Sequence, residues 1–91
     1  MIINVKNGND VITLDFRMNQ IRYCRNLKKH GKIAYLNQSQ STMECFEYLH
    51  KEVPDKFLES LAEDVGNEIG KQIDPAKLQI LTEQQYMEVV A

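Results

Sequence analysis

The residues with the most chemistry to offer are two cysteines and two histidines, in the order Cys24, His30, Cys45 and His50. Thiolate and imidazole are the usual ligands of zinc, but structural sites bring cysteines in tight Cys-x-x-Cys pairs. Here five residues separate Cys24 from His30 and four separate Cys45 from His50. On helices those separations point the paired side chains to different faces, so no metal site is expected. Nucleophilic catalysis would need a thiol or hydroxyl beside a base, with a third group orienting that base and donors for an oxyanion. Cys24, at an apolar helical spacing, should be inert, and nothing local to Cys45 beyond Glu47 and His50 supplies such a set.

Carboxylates are plentiful, yet Glu59, Glu63 and Asp64 look like the solvated face of an amphipathic helix rather than an acid–base pair. The cluster Asn7-Gly8-Asn9-Asp10 has one glycine and no following Lys-Ser or Lys-Thr. It leads into a β-rich run, so it is a turn and not a phosphate cradle. Gly66 and Gly70 have the spacing of membrane helix pairs, but in a charged helix they mark fraying and a C-cap. No catalytic residue, metal or cofactor is expected.

The sharpest chemical feature is charge. Arg17, Arg22, Arg25, Lys28, Lys29 and Lys32 fall in sixteen residues that contain no acid, a local charge of +6. Residues 44–68 hold eight acids against Lys51 and Lys56, a local charge of −6. Three readings are open. If residues 19–31 form a helix, Arg22, Arg25 and Lys29 share a face that could neutralise phosphates, with Tyr23 or Tyr35 stacking on a base. Against this, the chain is acidic overall, with a net charge of −2 and a pI near 5.6. Alternatively, the basic and acidic helices lie side by side on one face of a sheet and are electrostatically complementary. In the third reading the two charged faces belong to different surfaces and orient a protein partner or another copy of the chain.

The elements that must position these groups begin with a β-hairpin, residues 1–6 and 11–16 around the turn-forming cluster at 7–10. A two-residue Asn7-Gly8 turn would set Val5 against Asp10 and Asn4 against Val11, mixing polar and apolar partners. A four-residue loop pairs Val5 with Ile12, Ile3 with Leu14 and Met1 with Phe16 on one face, and Asn4 with Thr13 and Ile2 with Asp15 on the other. That register is the expected one. Asn19 as N-cap, Ile21, Cys24 and Leu27 at helical spacing, and Gly31 at the end predict a first helix. Residues 32–36 follow as a strand bounded by Gly31 and a polar tract.

Ser41 and Glu44 resemble a capping box, and Met43, Phe46, Leu49 and Val53 recur every three to four residues, which favours a helix over a strand for residues 41–51. Pro54 opens or kinks the next helix, whose Phe57, Leu58, Leu61, Val65 and Ile69 form an apolar stripe up to Gly70. Residues 77–81 supply a strand after the Asp74-Pro75 turn. Thr82 and Gln85 then open a short helix carrying Tyr86, Met87, Val89 and Val90.

Ninety-one residues, 43% hydrophobic and 26% charged, suit one folded unit with one core. The fold expected is α+β: a small antiparallel sheet seeded by the N-terminal hairpin, with three to four helices packed mainly on one face, residues 1–91 forming a single domain. Its core should hold Ile3, Val5, Ile12, Leu14, Phe16, Ile21, Cys24, Leu27, Ile33, Tyr35, Phe46, Leu49, Phe57, Leu61 and Val65. No run is long enough to span a bilayer, no basic leader precedes an apolar stretch, and two cysteines are too few for a disulfide framework, so the chain reads as cytoplasmic. Function is expected to be that of a non-enzymatic binding or regulatory module acting through protein contacts, as a homo-oligomer or with a partner, with Tyr86, Met87 and Val90 at the interface. The alternative is nucleic-acid or anion binding by Arg17, Arg22, Arg25, Lys28, Lys29 and Lys32.

Overall fold

Alternation of apolar and polar residues in the first fifteen positions produces a hairpin in the computed structural model, which describes residues 1–18, 20–25, 33–36 and 40–90. Strand β1 is Ile2–Asn7 and β2 is Asp10–Asp15. Their register pairs Val5 with Ile12, Ile3 with Leu14, Asn4 with Thr13 and Ile2 with Asp15, as the segregation of side chains requires. The Phe16 N–H donates to the Met1 carbonyl at 3.0 Å, extending it by one pair. The connection is shorter than a four-residue loop, because Lys6 and Asn7 also pair with Val11 and Asp10, leaving Gly8 and Asn9 as the turn. Gly8 takes a φ of 61°, the left-handed backbone that a tight hairpin turn demands.

The first helix expected from the sequence is not formed over residues 20–24: Gln20–Cys24 is strand β3, antiparallel to β2, with Ile21 opposite Leu14 and Tyr23 opposite Ile12. Within these five residues a period of two, Ile21 and Tyr23 inward, competes with the three-residue spacing of Ile21 and Cys24. The β-branched and aromatic residues fit the half-buried pleat beside β2 and win. The tight connection from β2 is stabilised by Asp15, whose carboxylate accepts the N–H groups of Arg17 at 3.0 Å and Met18 at 3.3 Å. Asn19, Leu27, Gly31 and the ends assigned to that helix lie outside the described residues.

Strand β4, Ile33–Leu36, pairs with β3, and β5, Leu78–Leu81, pairs with the far side of β1. The result is a five-stranded antiparallel sheet in the order β4-β3-β2-β1-β5. Between β4 and β5 the chain forms α1, Gln40–His50, and α2, Pro54–Ile69. A 3-10 turn, Pro75–Lys77, follows, and α3, Glu83–Val90, closes the chain. Ser41 falls inside the first turn of α1 rather than at its cap. The second capping box is realised at α3: the Thr82 N–H donates to Gln85 Oε1 at 2.9 Å and the Gln85 N–H to Thr82 Oγ1 at 3.1 Å.

Helices α1 and α2 cover the inner face of the sheet. Val5, Ile12, Leu14, Ile21 and Tyr23 from the strands meet Cys45, Phe46, Phe57, Leu61, Ala62 and Val65 from the helices, closed by Ile73 and Leu78. The Phe16 and Phe46 rings meet edge to face at 4.5 Å. The apolar stripe of α1 is rotated from the expected one, with Cys45 buried and Met43 exposed. Cys24 alternates to the outer face, while the side chains of Leu27, Ile33 and Tyr35 lie outside the described residues. The fold is a small α+β unit, and no helix among the described residues is long and apolar enough to cross a membrane.

Candidate partner-binding surface

The reactive side chains are scattered by this architecture. Cys24 and Cys45 lie on opposite sides of the sheet: Cys24 is half-buried opposite Val11 on the outer face, and Cys45 sits within the inner core. His50 is exposed at the end of α1, and His30 lies outside the described residues. Among the described residues no three His, Cys, Asp or Glu side chains converge as metal ligands would. Of the three carboxylates read as solvated, Glu59 and Glu63 are exposed, but Asp64 is buried.

Burial, reinforced by the charge of Asp64, pushes the Cys45 thiol up to about 12, and the S–H donates to the Phe57 carbonyl at 3.7 Å. Such a thiol is a packing group and not a nucleophile. Burial likewise pushes the Tyr23 phenol up to about 12, helped by its O–H donating to Asp10 Oδ2 at 2.5 Å, while the Asn7 amide donates to the phenol oxygen at 3.4 Å. This polar clasp ties β3 to the hairpin turn.

Both groups hold in the folded state protons that the unfolded chain releases from their ordinary values of 9.0 and 10.0. Their contribution to stability is therefore complete below about pH 9 and is lost as pH rises toward about 12. Urea midpoints should fall on the alkaline side, and Tyr23→Phe should flatten the upper part of that decline. A midpoint constant from about pH 8 to about pH 11 would contradict the assignment.

The basic segment takes a different shape from the one its spacing suggested. Arg22 lies within β3, opposite Thr13 and Tyr35 in the register, and therefore on the outer face, away from α1 and α2. Arg25 follows the strand and is exposed, and Arg17 is exposed in the β2–β3 turn. Lys28, Lys29 and Lys32 lie outside the described residues. Because Gln20–Cys24 is a strand, the helical face expected to hold Arg22 and Arg25 is not formed, and Arg22 does not lie beside the acidic helices. The Asp15 carboxyl is held below its ordinary value, first by the Met18 N–H, against an opposing effect of desolvation, then by the Arg17 N–H and by the charges of Arg17 and Arg22.

The outer face carries exposed apolar side chains near the start of β1. Alternation along β1 and its pairing with β5 bring Ile2, Asn4 and Leu81 to that face, and α3 follows directly from β5. A groove of about 550 Å³ runs between these strands and α3, lined by Ile2, Arg17, Leu81, Glu83, Tyr86 and Met87, with Met1 at its edge. Met1 is 68%, Ile2 44% and Met87 60% exposed, and Met18, 70% exposed, stands beside Arg17. Beside the groove, Thr13 Oγ1 donates to Asn4 Oδ1 at 2.7 Å.

Tyr86 is half-buried against the groove and Met87 points outward, while the side chain of Val90 lies outside the described residues. The sequence had singled out α3 for a contact surface and Arg17 only for anion binding, and it had not singled out Ile2. The signal was present in the hairpin register, which places Ile2, an apolar residue, on the face of Asn4, Thr13 and Asp15. Comparison with known protein families, with curated proteins and with solved structures finds no match, so the functional reading rests on this geometry.

Proposed function

We propose that the chain is a non-enzymatic binding module that acts through protein contacts made with the groove between β1 and α3. The observation that carries the reading is the concentration of exposed Met1, Ile2 and Met87 around one concave surface. Apolar side chains gathered in one patch mark contact sites, whereas isolated ones are ordinary surface. Methionine suits such a surface because its unbranched, polarizable side chain adapts to the shape it meets. Photo-crosslinking of the full chain tests this: a crosslinking amino acid at position 87 should give protein adducts in the producing cell, and one at position 59, on the acidic helix, should not. No adduct from position 87 would sink the proposal.

A second reading, nucleic-acid binding by the basic segment, is favoured by one observation. Arg22 lies on the face away from the acids of α1 and α2, so those acids do not neutralise it across a shared face. Fluorescence anisotropy of labelled mixed-sequence DNA and RNA at about 50 and about 200 mM salt decides it, since phosphate contacts give a steep salt dependence. Salt-sensitive binding lost in Arg17→Glu, Arg22→Glu and Arg25→Glu would support the reading. No binding at the lower salt would remove it.

A further inference from the structure

We propose that the occupant of the β1–α3 groove is a second copy of this chain, docked about a twofold axis so that Arg17 of each copy meets Glu83 of the other. The inference rests on the reading of the groove as a protein-contact surface and names its partner. A twofold interface uses the same patch on both sides, so that patch must be complementary to itself. The groove meets this requirement: its exposed apolar residues Ile2 and Met87 can meet their own kind, and its two charged side chains, Arg17 and Glu83, are of opposite sign.

Both are exposed, and among the described residues neither closes an ion pair within its own chain. A twofold axis converts one unpaired cation and one unpaired anion per copy into two ion pairs at the rim of an apolar contact. Charge elsewhere points the same way. The acids Glu44, Glu47, Glu59 and Glu63 are exposed on α1 and α2, across the sheet from the groove. Contact between copies through that side would bring like charges together, which is unfavourable. Contact through the groove keeps the acidic helices apart and uses a patch whose two charged side chains, Arg17 and Glu83, are of opposite sign.

Sedimentation velocity of the full chain, from about 5 to about 500 µM, should show a concentration-dependent dimer. Arg17→Glu and Glu83→Arg should each weaken it by roughly tenfold or more, because each puts like charges opposite one another twice. Mixing the two variants in equal amounts should restore the dimer, since the mixed pair again opposes charges of unlike sign at both places. That recovery also shows that neither variant had simply failed to fold.

A chain that stays monomeric throughout overturns the inference, as does a dimer that survives both substitutions or one that mixing fails to restore. If the monomer nevertheless gives adducts with other proteins from position 87, the protein-contact reading stands and only the identity of the partner was wrong. If it gives none, both fail.

Discussion

Phe57→Ala should lower the unfolding free energy by about 3 to 5 kcal/mol, a large share of the roughly 5 to 14 kcal/mol that a chain of this length possesses. Phe57 is fully buried in the first turn of α2 and belongs to the cluster joining both core helices to the sheet. Pro54 begins this helix and the Phe57 N–H donates to the Val53 carbonyl at 3.0 Å, so the ring enters the core from a backbone that is held in place. Collapse into the vacated space is therefore restricted, which places the cost toward the upper part of the range. Urea unfolding followed by circular dichroism reads the loss as a shifted midpoint at unchanged slope. Met43→Ala is the control, because Met43 is apolar and on a helix but 55% exposed, and it should shift stability by no more than about 0.5 kcal/mol. Equal effects at the two positions would mean that the core is not where these contacts put it.

How legible the fold was in the sequence depended on whether one periodicity spoke alone. In the hairpin only one register segregates polar from apolar side chains, and the structure adopts it. In α2 the stripe from Phe57 to Val65 has no competing period, and Pro54 and Gly70 mark its ends. Residues 20–24 carry two signals at once, and the deciding factor, an unpaired edge of β2 waiting for a partner, is non-local. Local propensity was thus outweighed by pairing that no short window contains.

The same reason limited the reading of the site. Tyr86 and Met87 were legible because an apolar run near the end of the chain needs covering. Arg17 joins them only because the β2–β3 turn brings residue 17 back beside β1. The separation of Arg22 from the acids of α1 and α2 could not be read either. It follows from Arg22 lying on a strand, where alternation sends it away from the helices.

Gly66→Ala should destabilise the protein by about 1 to 3 kcal/mol, although alanine inside a helix ordinarily gains close to 1 kcal/mol over glycine. Gly66 is buried in the last third of α2, where the chain reverses: Gly70 takes a φ of 70°, and the Lys71 N–H donates back to the Gly66 carbonyl at 3.0 Å. That reversal brings the Lys71 carbonyl oxygen to 2.6 Å from the position a Cβ on residue 66 would occupy. The obstacle is backbone, held by the reversal itself, so it cannot swing aside as a flexible side chain would. Relief requires opening the C-cap and shifting the segment that leads to Ile73, a core residue.

Gly70 is glycine for a different reason, its left-handed backbone, with nothing within 4 Å of an added Cβ. Gly70→Asn should therefore cost less than Gly70→Ala, because asparagine tolerates that conformation, while Gly66→Asn should cost more than Gly66→Ala. Urea midpoints of the four variants separate the two causes. A stabilised Gly66→Ala would mean that α2 and residue 71 do not approach as closely as this reversal implies, and the helix end would then be held by the Gly70 cap alone.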